Sequence, residues 1–576
     1  MSIRVLPPEV ASRIAAGEVV ERPASIVKEL VENALDAGAR RVAVEANEGG
    51  VALIRVVDDG CGIDPEELAL AFARHATSKL RDDADLDAIA TLGFRGEALP
   101  SIAAVAEVDA ASRPAALQTG GRVRLRFGEL ADQGASGGPA GTAVSVRNLF
   151  REQPARLRFL RSTGAEAAQI ASIVSHYALA YPEVAFSLRL DGRESFATAG
   201  GGDRRAAAAG VYGAEVAAAL LEASEQGEGA SIEALLAPPS ISRASRGYIT
   251  LFINRRWVRS RSLAYAVEEA YSGLLQTGRF PIAVVDLRLP PGDVDVNVHP
   301  AKAEVRLRNE RQVFAFVQRP LRRVLAGLAP VGAEPFGGWP RVAARPGPSA
   351  PGDPAPDLTL ERAPLQSALR PGAPAQETAA QPALPAGLPI LRPLGQAGTT
   401  YIIAEGPAGL YLIDQHAAHE RVLYERFQRD LTRAAEAAQP LLAPVVLELT
   451  PAQASLVGAY AGALAEHGFA VEPFGPRGYL LRAAPADMRR EDPARAFVEL
   501  LDLLTREDAP ADRRGRVAAS LACHAAVRAG QTLAMEEMRD LIRQLEACEL
   551  PQTCPHGRPT MLHLSADELA RRFSRK

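Results

Sequence analysis

The sequence predicts a multi-domain α/β protein, and three observations support this fold class. The chain has 576 residues, more than a single hydrophobic core normally accommodates. Helical and strand patterns alternate over most of its length. A stretch of 60 residues, 330–389, holds 14 of the 43 prolines and interrupts those patterns. We therefore expect four regions, which comprise residues 1–204, 205–329, 330–389 and 390–576.

The proline-rich segment 330–389 is predicted to be a disordered linker. Proline lacks the backbone donor that helices and sheets use, and the accompanying alanines and glycines cannot bury a core. A loop inside one domain is the less favoured interpretation, because loops of this length are uncommon in compact domains.

The composition restricts the class of protein and its setting. Apolar residues make up 47% of the chain, yet no uninterrupted apolar stretch is long enough to cross a bilayer, so we expect no membrane partner. The first residues show no basic-then-apolar secretion leader. The cysteines are too few for a disulfide framework, which favours a reducing cytoplasm. They are Cys61, Cys523, Cys548 and Cys554.

The net charge of -4 does not by itself indicate nucleic-acid binding. Local basic patches could still contact DNA, although solvated surface arginine is the ordinary alternative for each residue. The candidates are Arg255, Arg256, Arg259 and Arg261, and separately Arg151, Arg156, Arg158 and Arg161.

Helix and strand patterns occur in all three folded regions. In the first, Ser25 is expected to cap a helix whose apolar face includes Ile26 and Leu30. Residues 51–57 form a strand pattern that ends at Asp58. In the second, residues 249–253 and 293–298 alternate as strands do. Residues 390–576 form a third α/β region.

Three motifs in the first region could bind a nucleotide. Glu29 and Asn33 are four residues apart and share one helical face, where a carboxylate could activate water and an amide oxygen could bind Mg²⁺. Asp58, with two glycines after it, could accept a hydrogen bond from adenine. Gly93 and Gly96 could approach phosphates. A polar helix face and ordinary turns explain each motif singly, and the common P-loop pattern is not found.

Together these motifs, followed by Gly141 and Thr142, resemble the GHKL ATPase superfamily, and the surrounding sequence resembles its MutL family of mismatch-repair ATPases. The matching stretches are residues 14–23, 32–39, 74–79, 93–99 and 297–302. The resemblance implies a GHKL (Bergerat) ATPase α/β sandwich followed by a ribosomal-protein-S5-like α/β transducer domain. It favours this family over two relatives that share the nucleotide fold, type II topoisomerase subunits and histidine kinases. Neither a tyrosine-bearing cleavage domain nor a phospho-acceptor helix is evident.

The same resemblance implies roles for individual residues. Glu29 would be the general base, Asn33 would hold Mg²⁺, and Asp58 would read adenine with the support of Thr142. Lys302 would reach the γ-phosphate of ATP. The lid over the phosphates would contain Thr77, Ser78, Lys79, Leu92, Gly93, Phe94, Arg95, Gly96, Glu97, Ala98 and Leu99, and further ATP contacts would be Ala37, Gly62 and Ile63. Glu152 departs from the family, which usually has asparagine there, so the loop around it is left without a role.

A second group of chemically active residues follows the linker. His416 and Glu420 are four residues apart, Asp414 precedes them, and Cys554 and His556 lie two residues apart. Such soft and borderline ligands suit Zn²⁺ or Mn²⁺. A helix cap for Asp414 and solvent-facing histidines are the alternatives.

Residues 414–425 and 554–559 resemble two signatures of MutL proteins that nick DNA themselves. Residues 522–523 and 573–575 resemble the remaining elements, although His524 stands where the family tends to carry arginine or lysine. The resemblance implies metal-dependent hydrolysis of a phosphodiester, with Asp414 catalytic. The metal ligands would be Asp414, His416, Glu420, Cys554 and His556, with Cys523 as a further candidate. Zn²⁺ would be regulatory or structural, and Mn²⁺ would support cleavage.

Residues 439–444 match the Gln-x-Leu-x-x-Pro pattern by which such proteins are thought to contact the replication sliding clamp. Gln439 would bond at the rim of an apolar groove that receives Leu441, and Pro444 completes the pattern. The alternative is a plain loop before a strand over residues 445–449.

The resemblance as a whole implies an ATP-gated homodimeric clamp that couples a MutS mismatch sensor to strand nicking on DNA. Its setting would be the bacterial cytoplasm, with nucleoid association when it is on DNA. The alternative is an ATP-gated matchmaker that recruits a separate nuclease.

Overall fold

The computed structural model describes residues 20–74, 76–79, 91–93, 96–227, 229–275, 279–295, 305–327, 388–429, 438–475, 478–485, 492–504, 513–526, 531–555 and 557–572. The chain divides into two units. One contains residues 329–388, and the other contains residues 1–328 together with 389–576. The bounds of the smaller unit each lie one residue before those of the predicted linker.

The first region is built on a mixed sheet, which has eight strands among the described residues. The strand order is β5-β4-β3-β6-β2-β1-β7-β8, and only the β1–β7 pair of this sheet is parallel. Its helices are α1 (Pro23–Asp36), α2 (Ala98–Val105), α3 (Pro154–Phe159) and α4 (Thr163–Ala180). Its strands are β1 (Arg41–Asn47), β2 (Leu53–Asp58), β3 (Glu107–Arg113), β4 (Gly120–Arg126), β5 (Glu129–Ser136), β6 (Gly141–Arg147), β7 (Ala185–Leu190) and β8 (Arg193–Ala197).

Helix α1 confirms the predicted apolar face but not the predicted cap. Ile26 and Leu30 are buried in the core with their apolar neighbours, where α1 packs against α4 and the sheet. The helix begins at Pro23, which is favoured at a first helical position because its ring already has a helical φ. Ser25 therefore lies inside the first turn, and its N–H donates to Arg22 O at 3.0 Å. The prediction that Ser25 caps the helix is wrong.

The second region contains a five-stranded sheet, β13-β12-β15-β10-β9, in the described part of the chain. Helices α7 and α8 pack together beside it. Its helices are α5 (Arg204–Tyr212), α6 (Ala214–Ala219), α7 (Arg261–Ala270) and α8 (Glu310–Ala326). Its strands are β9 (Leu221–Gln226), β10 (Ser231–Leu236), β11 (Ser242–Arg243), β12 (Ile249–Ile253), β13 (Arg256–Val258), β14 (Phe280–Pro281), β15 (Ala283–Arg288), β16 (Val294–Asp295) and β17 (Arg306–Leu307).

Two of the predicted strands are confirmed within two residues. Strand β12 has the predicted bounds, and β2 begins two residues later than predicted and ends at Asp58. Of the strand predicted over residues 293–298, the structure assigns only Val294–Asp295, and residues 296–298 lie outside the described residues.

The third region contains a four-stranded sheet, β18-β19-β20-β24, and a three-stranded sheet, β21-β23-β22, among the described residues. Its helices are α9 (Gln415–Arg429), α10 (Pro451–Glu466), α11 (Pro493–Leu504), α12 (Arg513–Ala525), α13 (Met535–Glu546) and α14 (Ala566–Arg572). Its strands are β18 (Arg392–Ala397), β19 (Tyr401–Gly406), β20 (Gly409–Asp414), β21 (Ala438–Glu448), β22 (Ala470–Phe474), β23 (Gly478–Pro485) and β24 (Met561–Ser565).

The third region also contacts the first two. Helix α10 packs along α4. Tyr248 Oη donates to Asp502 Oδ1 at 2.5 Å, and Gln453 Nε2 donates to the same oxygen at 2.7 Å. Arg279 forms an ion pair with Glu499 in which both side chains are less than a tenth exposed. Residues more than 200 positions apart in the chain therefore share one buried polar cluster.

Candidate functional site

A cavity of about 970 Å³ lies beside α1 in the first region. It is bounded by α1, the end of β2, the start of β6, and residues of segments 61–79 and 91–100. Most of the residues predicted to contact ATP line it: Glu29, Asn33, Ala37, Asp58, Gly62, Ile63, Thr77, Ser78, Lys79, Gly93, Gly96, Glu97, Ala98, Leu99 and Thr142. Strands and a helix that are distant in sequence thus bring the predicted site together.

Glu29 and Asn33 reach the cavity because α1 is amphipathic. The opposite face of the helix is buried in the core, so the polar face is directed at the cavity. Lys28 Nζ lies 4.0 Å from Glu29 Oε1 and 3.4 Å from Glu32 Oε1. The buried Glu32 also accepts a hydrogen bond of 2.5 Å from Tyr177 Oη on α4. Burial, together with the nearby glutamates, raises the pKa of Tyr177, so this phenol remains protonated and donates.

Asp58 lies at the end of β2 and is held by backbone donors. Its Oδ1 accepts from Gly60 N at 2.9 Å and from Thr142 N at 3.2 Å. Burial raises the pKa of Asp58 above its ordinary value, against the lowering effect of these two hydrogen bonds. Gly141 has φ +114°, and a Cβ there would lie 2.1 Å from Asp58 O. Only glycine permits this approach of β6, which explains why Gly141 precedes Thr142.

Ser112 supports the site, although no sequence motif indicated it. It pairs with Thr142 across β3 and β6, and the two hydroxyl oxygens lie 2.8 Å apart. Ser112 Oγ also accepts from Ile63 N at 2.8 Å, which holds the turn after Asp58. A serine in a strand carries no motif, so only the register of the sheet could reveal this contact.

Asp36, to which no sequence motif assigned a role, organises the lid segments. Its carboxylate accepts from Leu92 N at 2.9 Å and from Gly93 N at 3.0 Å. Lys79 Nζ lies 2.5 Å from Asp36 Oδ2 and donates to Asn33 Oδ1 at 2.8 Å. The amide of Asn33 and the carboxylate of Asp36 therefore form a pair of oxygen acceptors that already holds a cation. Oxygen ligands of this kind suit Mg²⁺.

Leu92 differs from the other lid residues that the structure describes, which line the cavity. Its side chain is buried in the core and does not line the cavity, although its backbone N–H contacts Asp36. The predicted roles of Phe94, Arg95 and Lys302 fall outside the described residues. Glu152, the departure from the family pattern, is exposed in the turn before α3.

Arg256 does not fit the predicted basic patch. It is 6% exposed, and its Nη2 donates to Thr91 O at 2.8 Å. Neither a DNA contact nor a solvated surface arginine describes this side chain, so both interpretations are wrong for it. In the same cluster, Arg255 forms an ion pair with Glu183 and lies over the ring of Tyr181.

In the third region, α9 brings two of the predicted metal ligands together. His416 Nε2 lies 3.2 Å from Glu420 Oε1, as expected for residues one helical turn apart. Asp414 Oδ1 accepts from His416 N at 2.9 Å and Ala417 N at 3.1 Å, so its carboxylate caps the helix. The cap, which was the alternative interpretation of Asp414, is thus present beside the candidate ligands.

The segment that contains Cys554 runs alongside α9. Thr553 O accepts from Arg421 Nε at 2.5 Å, and Thr560 O accepts from Asp414 N at 2.9 Å. Cys554 is buried between these two contacts. His556 and the side chains of Cys523 and His524 lie outside the described residues, as do residues 573–575. Among the described residues, no three histidine, cysteine or acidic side chains cluster closely enough to hold a metal.

Residues 439–444 belong to strand β21, at an edge of the three-stranded sheet, so a plain loop there is wrong. Pairing with β23 is interrupted between Pro440 and Val445. Leu442 is fully exposed, whereas Leu441 packs against the core of the third region.

The chain matches three family models. Residues 18–132 match the histidine kinase-, DNA gyrase B- and HSP90-like ATPase family. Residues 208–326 match the C-terminal domain of DNA mismatch repair protein, and residues 394–533 match the MutL C terminal dimerisation domain. The first model contains the segment of the cavity from Glu29 to Ala110. In the described part of the chain, no helix is long and apolar enough to span a bilayer.

Whole-length relatives are similar to this chain. DNA mismatch repair protein MutL of Symbiobacterium thermophilum is 43% identical over 632 residues, and that of Desulforudis audaxviator is 44% identical over 580 residues. MutL of Acidiphilium cryptum is 43% identical over 588 residues. Each alignment covers 100% of this chain and 100% of the relative.

Proposed function

This chain belongs to the MutL family of DNA mismatch repair proteins and carries a GHKL ATPase domain, and we propose that it is an ATP-gated homodimeric clamp that nicks DNA with its own third region. The single observation that carries the ATP-gated part is the cavity beside α1. There a carboxylate and an amide oxygen of α1 face the same space as the half-buried carboxyl group of Asp58 at the end of β2.

For ATP hydrolysis, Glu29 would accept the proton of the attacking water, since it is the carboxylate of α1 that faces the cavity one turn before Asn33. Asp58 would accept from the adenine amino group, and the backbone donors at Gly60 and Thr142 orient it for this role. Asn33, with Asp36 beside it, would hold Mg²⁺ bound with the phosphates.

Lys79 would change partners when ATP binds. In the structure its ammonium group contacts Asn33 and Asp36. A triphosphate offers a stronger anionic partner within the same cavity, so Lys79 would move to the phosphates and leave Asn33 to the metal. The lid segments, which Asp36 holds through Leu92 and Gly93, would order over the nucleotide. Lys302 would contact the γ-phosphate.

For DNA cleavage, the proposal rests on the group around α9. His416 and Glu420 share a helical face, and the buried Cys554 lies in the segment that runs along the same helix. Asp414, His416, Glu420, Cys554 and His556 would hold Zn²⁺ or Mn²⁺, with Cys523 as a further ligand. A bound ion would lower the pKa of water and neutralise charge on the phosphodiester. Asp414 would hold the attacking water with the oxygen that the cap does not use.

The partners follow from family membership. The third region matches a dimerisation domain, which supports a homodimer. A MutS mismatch sensor, DNA and the replication sliding clamp would be the other partners, with Gln439, Leu441 and Pro444 contacting the clamp. The protein would work in the bacterial cytoplasm and associate with the nucleoid on DNA.

The nuclease proposal is tested by nicking of supercoiled plasmid with Mn²⁺. Asp414→Asn should abolish nicking without unfolding α9, because asparagine also caps helices well. The exposed Asp540→Asn on α13 is the matched control and should nick normally. If wild-type protein does not nick, or if Asp414→Asn nicks as well as wild type, the third region does not cleave as proposed. The first outcome would identify the protein as a matchmaker that recruits a separate nuclease.

A further inference from the structure

Arg256 is a buried cation that the proposed mechanism does not use. It is the first residue of β13 in the second region, which matches a different family model from the ATPase region. Only 6% of it is exposed, and its Nη1 has no hydrogen-bond partner among the described residues. A buried guanidinium is costly unless it is paired, so its position needs an explanation.

The hydrogen bond of Arg256 crosses from the second region to the ATPase region. Nη2 donates 2.8 Å to the carbonyl oxygen of Thr91, a residue that lines the nucleotide cavity. The two residues are 165 positions apart in the chain. A carbonyl oxygen bonded to a cation accepts a charge-assisted hydrogen bond, which is stronger than a neutral one.

From Thr91, further hydrogen bonds lead to the proposed Mg²⁺ ligand. Thr91 Oγ1 donates to Gly93 O at 2.7 Å, and Gly93 N donates to Asp36 Oδ2 at 3.0 Å. Lys79 then joins Asp36 to Asn33 through contacts of 2.5 and 2.8 Å. The start of the lid is thus held from two sides, by Arg256 on the second region and by Asp36 on α1.

The charges around Arg256 also connect it to α1. Its charge acts on Tyr177, where it opposes the effect of Glu32 and Glu29 on the pKa of that phenol. Tyr177 donates to Glu32, and Lys28 lies between Glu32 and Glu29. Arg256 is therefore placed within the electrostatic reach of the helix that carries the proposed general base.

We propose that Arg256 is a positioning residue for ATP hydrolysis, which fixes the start of the lid from the second region and so couples that region to the nucleotide site. The inference rests on the proposed ATP site. Movement of the second region would displace Thr91 through this hydrogen bond. The start of the lid would then change its position relative to Asp36. The residue does not contact nucleotide itself.

The test compares Arg256→Met and Arg256→Lys in the full chain by steady-state ATP hydrolysis and thermal melting. Loss of a charge-assisted hydrogen bond should lower kcat/KM roughly tenfold in Arg256→Met. Arg256→Lys, which keeps the charge and one donor, should recover part of the loss. Arg246→Met, which removes an exposed ion pair with Glu268 in the same region, is the matched control and should hydrolyse ATP normally. The lysine variant also provides a measurement if the methionine variant does not fold.

A double-mutant cycle separates positioning from simple stability. Arg256→Met and Asp36→Asn act on the same lid segment, so their combined effect on kcat/KM should be smaller than the product of the single effects. Arg246→Met combined with Asp36→Asn should give the product. The proposal is overturned if Arg256→Met leaves kcat/KM unchanged, or if its effect multiplies with that of Asp36→Asn. Failure of the wild-type chain to hydrolyse ATP would instead contradict the proposed function.

Discussion

The ammonium group of Lys79 lies 2.8 Å from the side-chain oxygen of Asn33. That oxygen is the one proposed to bind Mg²⁺. The same ammonium group is 2.5 Å from Asp36 Oδ2, so one cation satisfies both acceptors. Under the proposed function, a lysine from the lid and a metal bound with ATP would therefore compete for Asn33, and the site would pass from one cation to the other without leaving its acceptors unpaired.

The first prediction concerns Lys79. Lys79→Gln should weaken the binding of Mg·ATP by roughly tenfold, since one charge-assisted hydrogen bond to the phosphates is lost. Binding of a fluorescent ATP analogue measures the effect. Arg126→Gln, an exposed change on β4 outside the cavity, is the control and should bind normally. Unchanged affinity in Lys79→Gln would contradict the exchange of partners.

The second prediction concerns Glu29. Glu29→Ala should stop ATP hydrolysis and leave ATP binding intact, because a general base acts on the attacking water and is not needed to hold the nucleotide. Single-turnover hydrolysis and equilibrium binding measure the two steps separately. Glu129→Gln, at the exposed end of β5, is a control for loss of a carboxylate. Normal turnover in Glu29→Ala would assign the base to another residue.

The third prediction concerns the pH dependence of adenine recognition. Burial raises the pKa of Asp58, and only its carboxylate form offers the full acceptor charge to the adenine amino group. ATP affinity should therefore fall as the pH decreases through the raised pKa of Asp58. Asp58→Asn should reduce the preference for ATP over GTP at neutral pH. A preference that survives this substitution would show that another group reads the base.

The fourth prediction concerns the buried cluster of Asp502, Tyr248 and Gln453. Burial raises the pKa of Asp502 from 3.8 to about 6. Between these pH values the folded protein therefore binds more protons than the unfolded chain. The stabilisation that comes from protonated Asp502 is fully present below the ordinary pKa of 3.8, and it is lost as the pH rises through about 6. The free energy of unfolding decreases by about 3 kcal/mol in total, at about 1.36 kcal/mol for each unit by which the pKa is raised.

Thermal melting between about pH 4 and pH 7 checks the Asp502 prediction. Asp502→Asn keeps an acceptor for Tyr248 and Gln453 but carries no charge, so it should raise the melting temperature at the upper end of this range. Asp132→Asn, an exposed change on β5, should leave the profile unchanged. If the melting temperature of Asp502→Asn depends on pH in the same way as that of the wild type, Asp502 does not have the raised pKa.

The fifth prediction separates two neighbouring leucines in β21. Leu441→Ala should reduce affinity for the sliding clamp and lower stability by about 1 to 2 kcal/mol, because Leu441 also packs against the core. Leu442→Ala should change neither quantity, since Leu442 is fully exposed. Clamp pull-down and thermal melting measure the two effects. Loss of clamp binding in Leu442→Ala alone would show that the pattern is read one residue later.

Local patterns predicted much of the fold because they report periodicity. The sequence pattern predicted the apolar face of α1, the end of β2 at Asp58 and the bounds of β12. The start of α1 was not, since serine and proline both signal a helix start and the proline two residues earlier prevailed. Two start signals in one turn cannot both define the first residue.

Contacts between distant segments cannot be predicted from local sequence patterns. Ser112 joins the site through sheet register, and Asp36 through lid backbone donors that follow 56 and 57 residues later. Arg256 was grouped with its arginine neighbours as a possible DNA contact, yet it is buried against Thr91. Charge clusters in a chain do not reveal which member faces inward.

The amino-acid sequence alone determined the α/β fold class and the family, because local periodicity and motifs along single elements indicate both. Only the tertiary structure decided which cation holds Asn33, which hydroxyl supports the turn after Asp58, and which arginine connects the second region to the lid. Those pairings arise where separate elements meet, and each is selected by the need to satisfy buried charges and donors at that junction.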